Sequence, residues 1–136
     1  MNPNKALNQY KSVGLNSALA HATPHQQILM LLNGALERIA TAKGAIDNNN
    51  IELKGNSIGK AISIIGGLQA SLTDLDNNEV SQNLDRLYTY MYETLMKANT
   101  HSSIDQLNEV AKLLIDIKNG WEQIPQEHHN TRAPDA

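Results

Sequence analysis

The sequence predicts an all-α fold, an antiparallel up-down four-helix bundle, and three observations carry that prediction. Apolar residues recur at alternating spacings of three and four in four successive stretches. Residues that start or stop helices stand between those stretches. No segment alternates apolar and polar residues for long enough to suggest a strand.

Residues 1–22 carry the weakest apolar signal, spread over Leu7, Tyr10, Val13, Leu15 and Leu19, and are expected to form a short helix or a mobile arm. The first strong stripe is Ile28, Leu32, Ala35, Ile39, Ala42 and Ile46. In "ATPHQQ" just before it, Thr23 is placed as N-cap, Pro24 at the first helical position and Gln26 where a capping box needs it. "DNNNIE" then supplies a turn, because Asn tolerates left-handed geometry and caps well. The second stripe is Ile58, Ala61, Ile65, Leu68, Leu72 and Leu75, and "TDLDNNE" closes it.

Val80, Leu84, Leu87, Met91, Leu95 and Ala98 form the third stripe. "THSSIDQ" offers two starts for the fourth, Ser102 with Asp105 or Ser103 with Gln106. That stripe runs through Ile104, Leu107, Ala111, Leu114, Ile117, Trp121 and Ile124. Short connections between helices of about twenty residues favour antiparallel neighbours. The expected division is an N-terminal arm at 1–22, the bundle at 23–125 and a flexible C-terminal tail at 126–136.

Gly34, Gly44, Gly55, Gly59, Gly66, Gly67 and Gly120 fall in or beside the stripes, although each interior Gly disfavours a helix by roughly 1 kcal/mol relative to Ala. Two readings stay open: close approach between the protein's own helices, or helix faces left bare for another backbone.

Composition excludes several classes of function. A net charge of −3 does not suit a duplex nucleic-acid binder, which needs a basic surface. The absence of cysteine rules out disulfides and thiolate metal sites and fits a reducing cytosol. No apolar run approaches the roughly 18 residues of a membrane span, and "MNPNKALNQYKSVG" lacks the apolar stretch of a signal peptide. A soluble, cytosolic single domain is expected.

Catalytic and metal motifs are missing as well. His21 and His25 are four apart, but the helix start at Thr23 and Pro24 interrupts them, and no Glu is followed by His at the third position as a di-iron bundle requires. Neither GxGxxG nor GxxxxGK[ST] occurs. No metal site and no enzymatic activity are expected.

The one concentration of unusual chemistry is "LDRLYTYMYETLMKAN", which holds Tyr88, Tyr90 and Tyr92 in a chain with four Tyr, one Trp and no Phe. With Leu87 set at zero and about 100° per residue, Leu84, Met91 and Leu95 cluster between about 40° and 80°. Tyr88 and Tyr92 fall near about 100° and 140°, and Tyr90 falls on the other border near about 300°. The three rings are therefore expected to straddle the core face rather than fill it. They either cover the core edge with hydroxyls in water or anchor a partner segment laid beside a glycine-rich bundle.

Five pieces in order carry a resemblance: "ALNQYKSVG", "ATPHQQILMLLNGALERIATAKGAI", "IGKAISIIGGLQASL", "NLDRLYTYMYETLMKAN" and "LNEVAKLLIDIKNGWEQI". Together, over about residues 6–124, they resemble the FliS family of flagellar secretion chaperones. The resemblance implies a four-helix bundle with a short N-terminal capping segment. It further implies binding of the C-terminal region of flagellin in the cytosol, prevention of premature polymerisation and delivery to the flagellar type III export gate. No enzymatic activity, cofactor, nucleic-acid partner or membrane insertion is implied.

By the same resemblance Leu7, Tyr10 and Val13 either cover the client groove or dock export machinery, against the plainer reading that they only cap the bundle. Tyr88, Tyr90 and Tyr92 are candidates for contacts with the client or the core edge, and Trp121 is assigned to the core. The chain departs from the family pattern at Asn33 and Thr89, where Asp is common, and at Asn77 and Asn78, where Gly-Gly is common. A rival reading of a different class is a structural or regulatory helical-bundle adaptor that binds a folded partner.

Overall fold

Four helices follow one another through residues 21–128, the part of the chain that the computed structural model describes. They are α1 (Pro24–Asp47), α2 (Ile51–Ala70), α3 (Glu79–His101) and α4 (Ile104–Glu122), with a 3₁₀ turn at Gln126–His128. Among the described residues there is no strand. Each helix packs on its neighbours in sequence, and α1 also packs on α4, so the four close into a ring. This is the antiparallel up-down bundle that the stripes predict. The N-terminal arm through residue 20 lies outside the described residues, as does the tail beyond His128.

Local chemistry sets the helix ends. At α1 the Thr23 hydroxyl accepts from the Gln26 amide at 3.1 Å while the Gln26 side chain accepts from the Thr23 amide at 3.0 Å. Two amides that lack helical partners are thereby satisfied. Asn49 turns the chain after α1 with φ of 55°, and Asn50 caps α2 by accepting from Leu53. Of the two starts open for α4, Ser103 with Gln106 is the one used.

The α2–α3 turn is made by an aspartate. Its left-handed residue is Asp74, at φ 55°, and neither Asn77 nor Asn78 takes that role. Asn78 is instead the extended N-cap of α3, accepting from the Ser81 amide at 3.1 Å. Asp74 can hold the strained position because its short polar side chain tolerates left-handed geometry.

The stripes meet in one core. Leu32, Ala35, Ala42, Ile58, Ala61, Met91, Leu95, Ala98, Leu107 and Leu114 are wholly withdrawn from water. Leu31, Ala45, Ile64 and Val110 join them although they stand outside the simple stripes. The α1–α2 seam is the most intimate. Small buried residues on both helices, Gly34, Ala42 and Ala45 with Ser57 and Ala61, let the backbones come close.

The first and last helices are tied by a clasp between side chains 96 residues apart. His25 and Trp121 stack with ring centroids 5.2 Å apart and 12° between planes. The indole N–H donates to the His25 carbonyl at 3.0 Å, and His25 Nε2 lies 2.8 Å from the Trp121 carbonyl oxygen. A carbonyl can only accept, so Nε2 carries the imidazole proton. Trp121 is 9% exposed, in keeping with its assignment to the core.

Leu114 is fully buried at the centre of α4. Leu114→Asp places a carboxylate there at a cost of several kcal/mol, against a total stability of about 5–15 kcal/mol for an ordinary domain. Cooperative thermal unfolding followed by circular dichroism is expected to disappear. A variant that melts cooperatively near the wild-type temperature would show that the core is assigned wrongly.

Candidate functional site

The three tyrosines of α3 part company in the structure. Tyr88 is 3% exposed and belongs to the core, which corrects the expectation that all three rings straddle its edge. Burial disfavours the phenolate and pushes its hydroxyl well above the usual tyrosine range. The core face of α3 is simply wider than its apolar stripe, since α2 covers the border on which Tyr88 sits.

Tyr90 stands on the border toward α4. It is 44% exposed, and its hydroxyl donates to the Glu109 carboxylate of that helix. That bond to Glu109 raises the titration of the phenol. Tyr90 therefore works as a polar tie on the bundle surface.

Tyr92 lies on the opposite border, toward α2, and Met96 follows one turn later on the same face. Each is 47% exposed. A half-exposed aromatic ring beside a half-exposed thioether is the kind of pair that anchors a partner's apolar residues.

Opposite this pair α2 presents a bare face. Gly55, Gly59 and Gly66, together with half-buried Ile62, fall within about 60° of one another around the helix axis. A Cβ added at Gly55, Gly59 or Gly66 meets nothing within 4 Å, and the same holds for Gly44 and Gly120. Close approach between the protein's own helices thus does not account for these glycines, whereas it does suit buried Gly34 and Gly67.

Polar contacts fix the register of the two helices at either end of this surface. Gln69 Nε2 donates to Asp85 Oδ1 at 2.8 Å and to Thr89 Oγ1 at 3.0 Å. Near the other end, Lys54 Nζ donates to the Asn99 carbonyl at 2.9 Å and to Ser102 Oγ at 2.8 Å. Between them the antiparallel register sets Gly59 near Met96 and Ile62 near Tyr92. The surface over the α2–α3 seam thus carries Gly55, Gly59 and Gly66 from one helix and half-exposed Tyr92 and Met96 from the other.

Other sequence-derived candidates fare differently. Leu7, Tyr10 and Val13 lie outside the described residues. Where the chain enters α1, an open and largely apolar depression of about 420 Å³ is lined by His21, Ala22, Gln26, Leu29 and Met30. Asn33 is half-buried on α1, away from the α2–α3 seam, while Thr89 accepts from Gln69 and so helps to fix it. Among the described residues no cluster of His, Asp and Glu could hold a metal ion, and no helix is long and apolar enough to cross a membrane.

Sequence reasoning missed the seam as a place. The glycines and the tyrosines were visible separately, but their facing positions depend on the register of α2 against α3, which side-chain hydrogen bonds set. The spacing of Gly55 and Gly59, four apart on one face, was the signal that could have paired them.

Comparison with known proteins agrees with this architecture. The model of the flagellar protein FliS family matches residues 6–128. The flagellar secretion chaperone FliSB of Pseudomonas aeruginosa is 45% identical over 120 residues, covering 88% of this chain and 95% of the relative. The flagellar secretion chaperone FliS of Vibrio cholerae is 38% identical over 131 residues, 96% of either chain. Its counterpart in Salmonella typhimurium is 37% identical over 116 residues, 85% of this chain and 86% of the relative. The chain therefore belongs to the FliS family of flagellar secretion chaperones, a family without enzymatic activity.

Proposed function

We propose that this chain is a cytoplasmic export chaperone that holds the C-terminal segment of flagellin along the α2–α3 seam, prevents its premature polymerisation and delivers it to the flagellar type III export apparatus. The observation that carries the reading is the pairing of half-exposed Tyr92 and Met96 with a glycine face open to a Cβ. Both anchors are half-exposed, and the glycines leave open space where side chains would otherwise stand.

The physics of the client suits such a surface. A segment that buries its apolar face only in an assembled filament is adhesive while alone. An amphipathic helix can lay that face into an apolar groove, its side chains packing over the glycines at a spacing of four residues. Apolar burial supplies the driving force, and the ordering of the client offsets part of it. Binding of that kind is firm enough to protect and weak enough to release.

Calorimetric titration with the C-terminal segment of flagellin is expected to give one-to-one binding with a negative heat-capacity change. Tyr92→Glu and Met96→Glu are each expected to weaken it at least about tenfold, because a charge must then be desolvated at the contact. Both side chains are half-exposed, so the bundle itself is expected to fold normally. Binding that is indifferent to both substitutions would remove the client from this seam.

Gly59→Ala separates stability from function. It adds a methyl group in open space and removes the helix penalty of glycine, so stability is expected to rise by about 1 kcal/mol, raising Tm by about 4 °C. Client affinity is expected to fall, because the methyl group occupies the line along which the client backbone approaches. A rise in both quantities would mean that the glycine face is not a contact surface.

A further inference from the structure

We propose that Lys54 is a positioning residue of this chaperone, setting the height of α3 along α2 and so presenting the client surface ready-made. The inference rests on the client reading given above. Lys54 is 9% exposed, and its ammonium is held by the Asn99 carbonyl and the Ser102 hydroxyl. An ammonium withdrawn from water needs such acceptors in place of its lost hydration. The side chain and its acceptors are therefore bound to move together.

The acceptors are the end of a helix. Asn99 belongs to the last turn of α3, where carbonyls lack partners within their own helix and the macrodipole is negative. Ser102 ends α3 in left-handed geometry, φ 50°, and its hydroxyl stands beside Nζ. One cation on α2 thus satisfies the terminus of α3 and fixes its axial position. Three residues before Asn99 stands Met96, so the contact holds the turn that presents one of the two exposed anchors.

Gln69 does the corresponding work at the opposite end, through Asp85 and Thr89. Lys54 and Gln69 are fifteen residues apart on α2, about 22 Å along a helix. Tyr92, Met96 and the glycine face lie between these two fixed points. If the Lys54 contact is lost, the last turn of α3 must be ordered when the client binds, and that ordering comes out of the affinity. A residue that merely capped α3 would alter stability and leave the affinity of the folded protein unchanged.

The test is calorimetric titration of the full chain with the C-terminal segment of flagellin, comparing wild type, Lys54→Met and Lys43→Met. Methionine keeps the length of the lysine stem and removes its donors. Lys43 supplies the control, since it too crosses between helices, donating to Asn108 of α4 at 2.9 Å on the other side of the bundle. Lys54→Met is expected to unfold cooperatively and to bind about tenfold more weakly, while Lys43→Met binds as wild type does. Wild-type affinity in a folded Lys54→Met overturns the proposal, and so does an equal loss in Lys43→Met. If Lys54→Met does not fold, Ser102→Gly takes its place, removing one of the two acceptors at a left-handed position that glycine adopts freely, and unchanged affinity there overturns the proposal. Failure of the wild-type protein to bind refutes the client reading itself, before any variant is compared.

Discussion

Closure of the ring between α1 and α4 is the constraint on which the rest of the bundle depends. The other three seams join helices that follow one another through short links, so bringing them together costs little loop entropy. The fourth joins the two ends of the helical chain, 96 residues apart at the His25–Trp121 clasp. It is met there by ring stacking and by two reciprocal hydrogen bonds, each side chain bonding the other's backbone. The Trp121 carbonyl lies in the last turn of α4, where it accepts from the Ile124 amide at 3.2 Å, and the histidine N–H adds a second donor from across the seam. Without that seam the α4 stripe has one neighbour in place of two, and its buried residues Leu107, Val110 and Leu114 lose part of their cover.

Once the ring is closed, function falls to what remains outside it. The three tyrosines show how finely that division is drawn. Within five residues of α3, one ring fills the core, one ties α3 to α4 through Glu109, and one stands over the α2–α3 seam. The glycines divide in the same manner. Gly34 and Gly67 are buried among the packed helices, whereas Gly55, Gly59 and Gly66 face open space. Each of those three weakens an isolated helix, a penalty that close packing within the bundle does not explain.

Much of the fold was legible in the sequence because its causes are local. The capping box of Thr23 and Gln26, the turn in the asparagine run, the two starts offered at Ser102 and Ser103 and the spacing of the core stripes each depend on residues within a turn or two. What escaped depends on distant neighbours. Tyr88 sits at the edge of its stripe, and only the cover supplied by α2 decides that it is buried. His25, weighed as half of a doubtful metal pair with His21, has Trp121 as its partner, which no helical period can reveal. Asp74 holds the left-handed position of the α2–α3 turn, while Asn78, where Gly is common in the family, caps α3. The seam itself follows from a register fixed by Lys54 and Gln69, and helix periodicity is silent about register between helices.

If the client lies along the α2–α3 seam, the seam's own glycines report on it. In a two-dimensional NMR titration of the full chain with the C-terminal segment of flagellin, glycine amides provide well-separated probes on different faces of the bundle. The signals of Gly55, Gly59 and Gly66 are expected to shift together to saturation at one equivalent, while those of Gly44 and Gly120, equally open to solvent but remote from the seam, stay in place. Movement of Gly44 and Gly120 with the other three unchanged would contradict that placement and put the client elsewhere on the bundle.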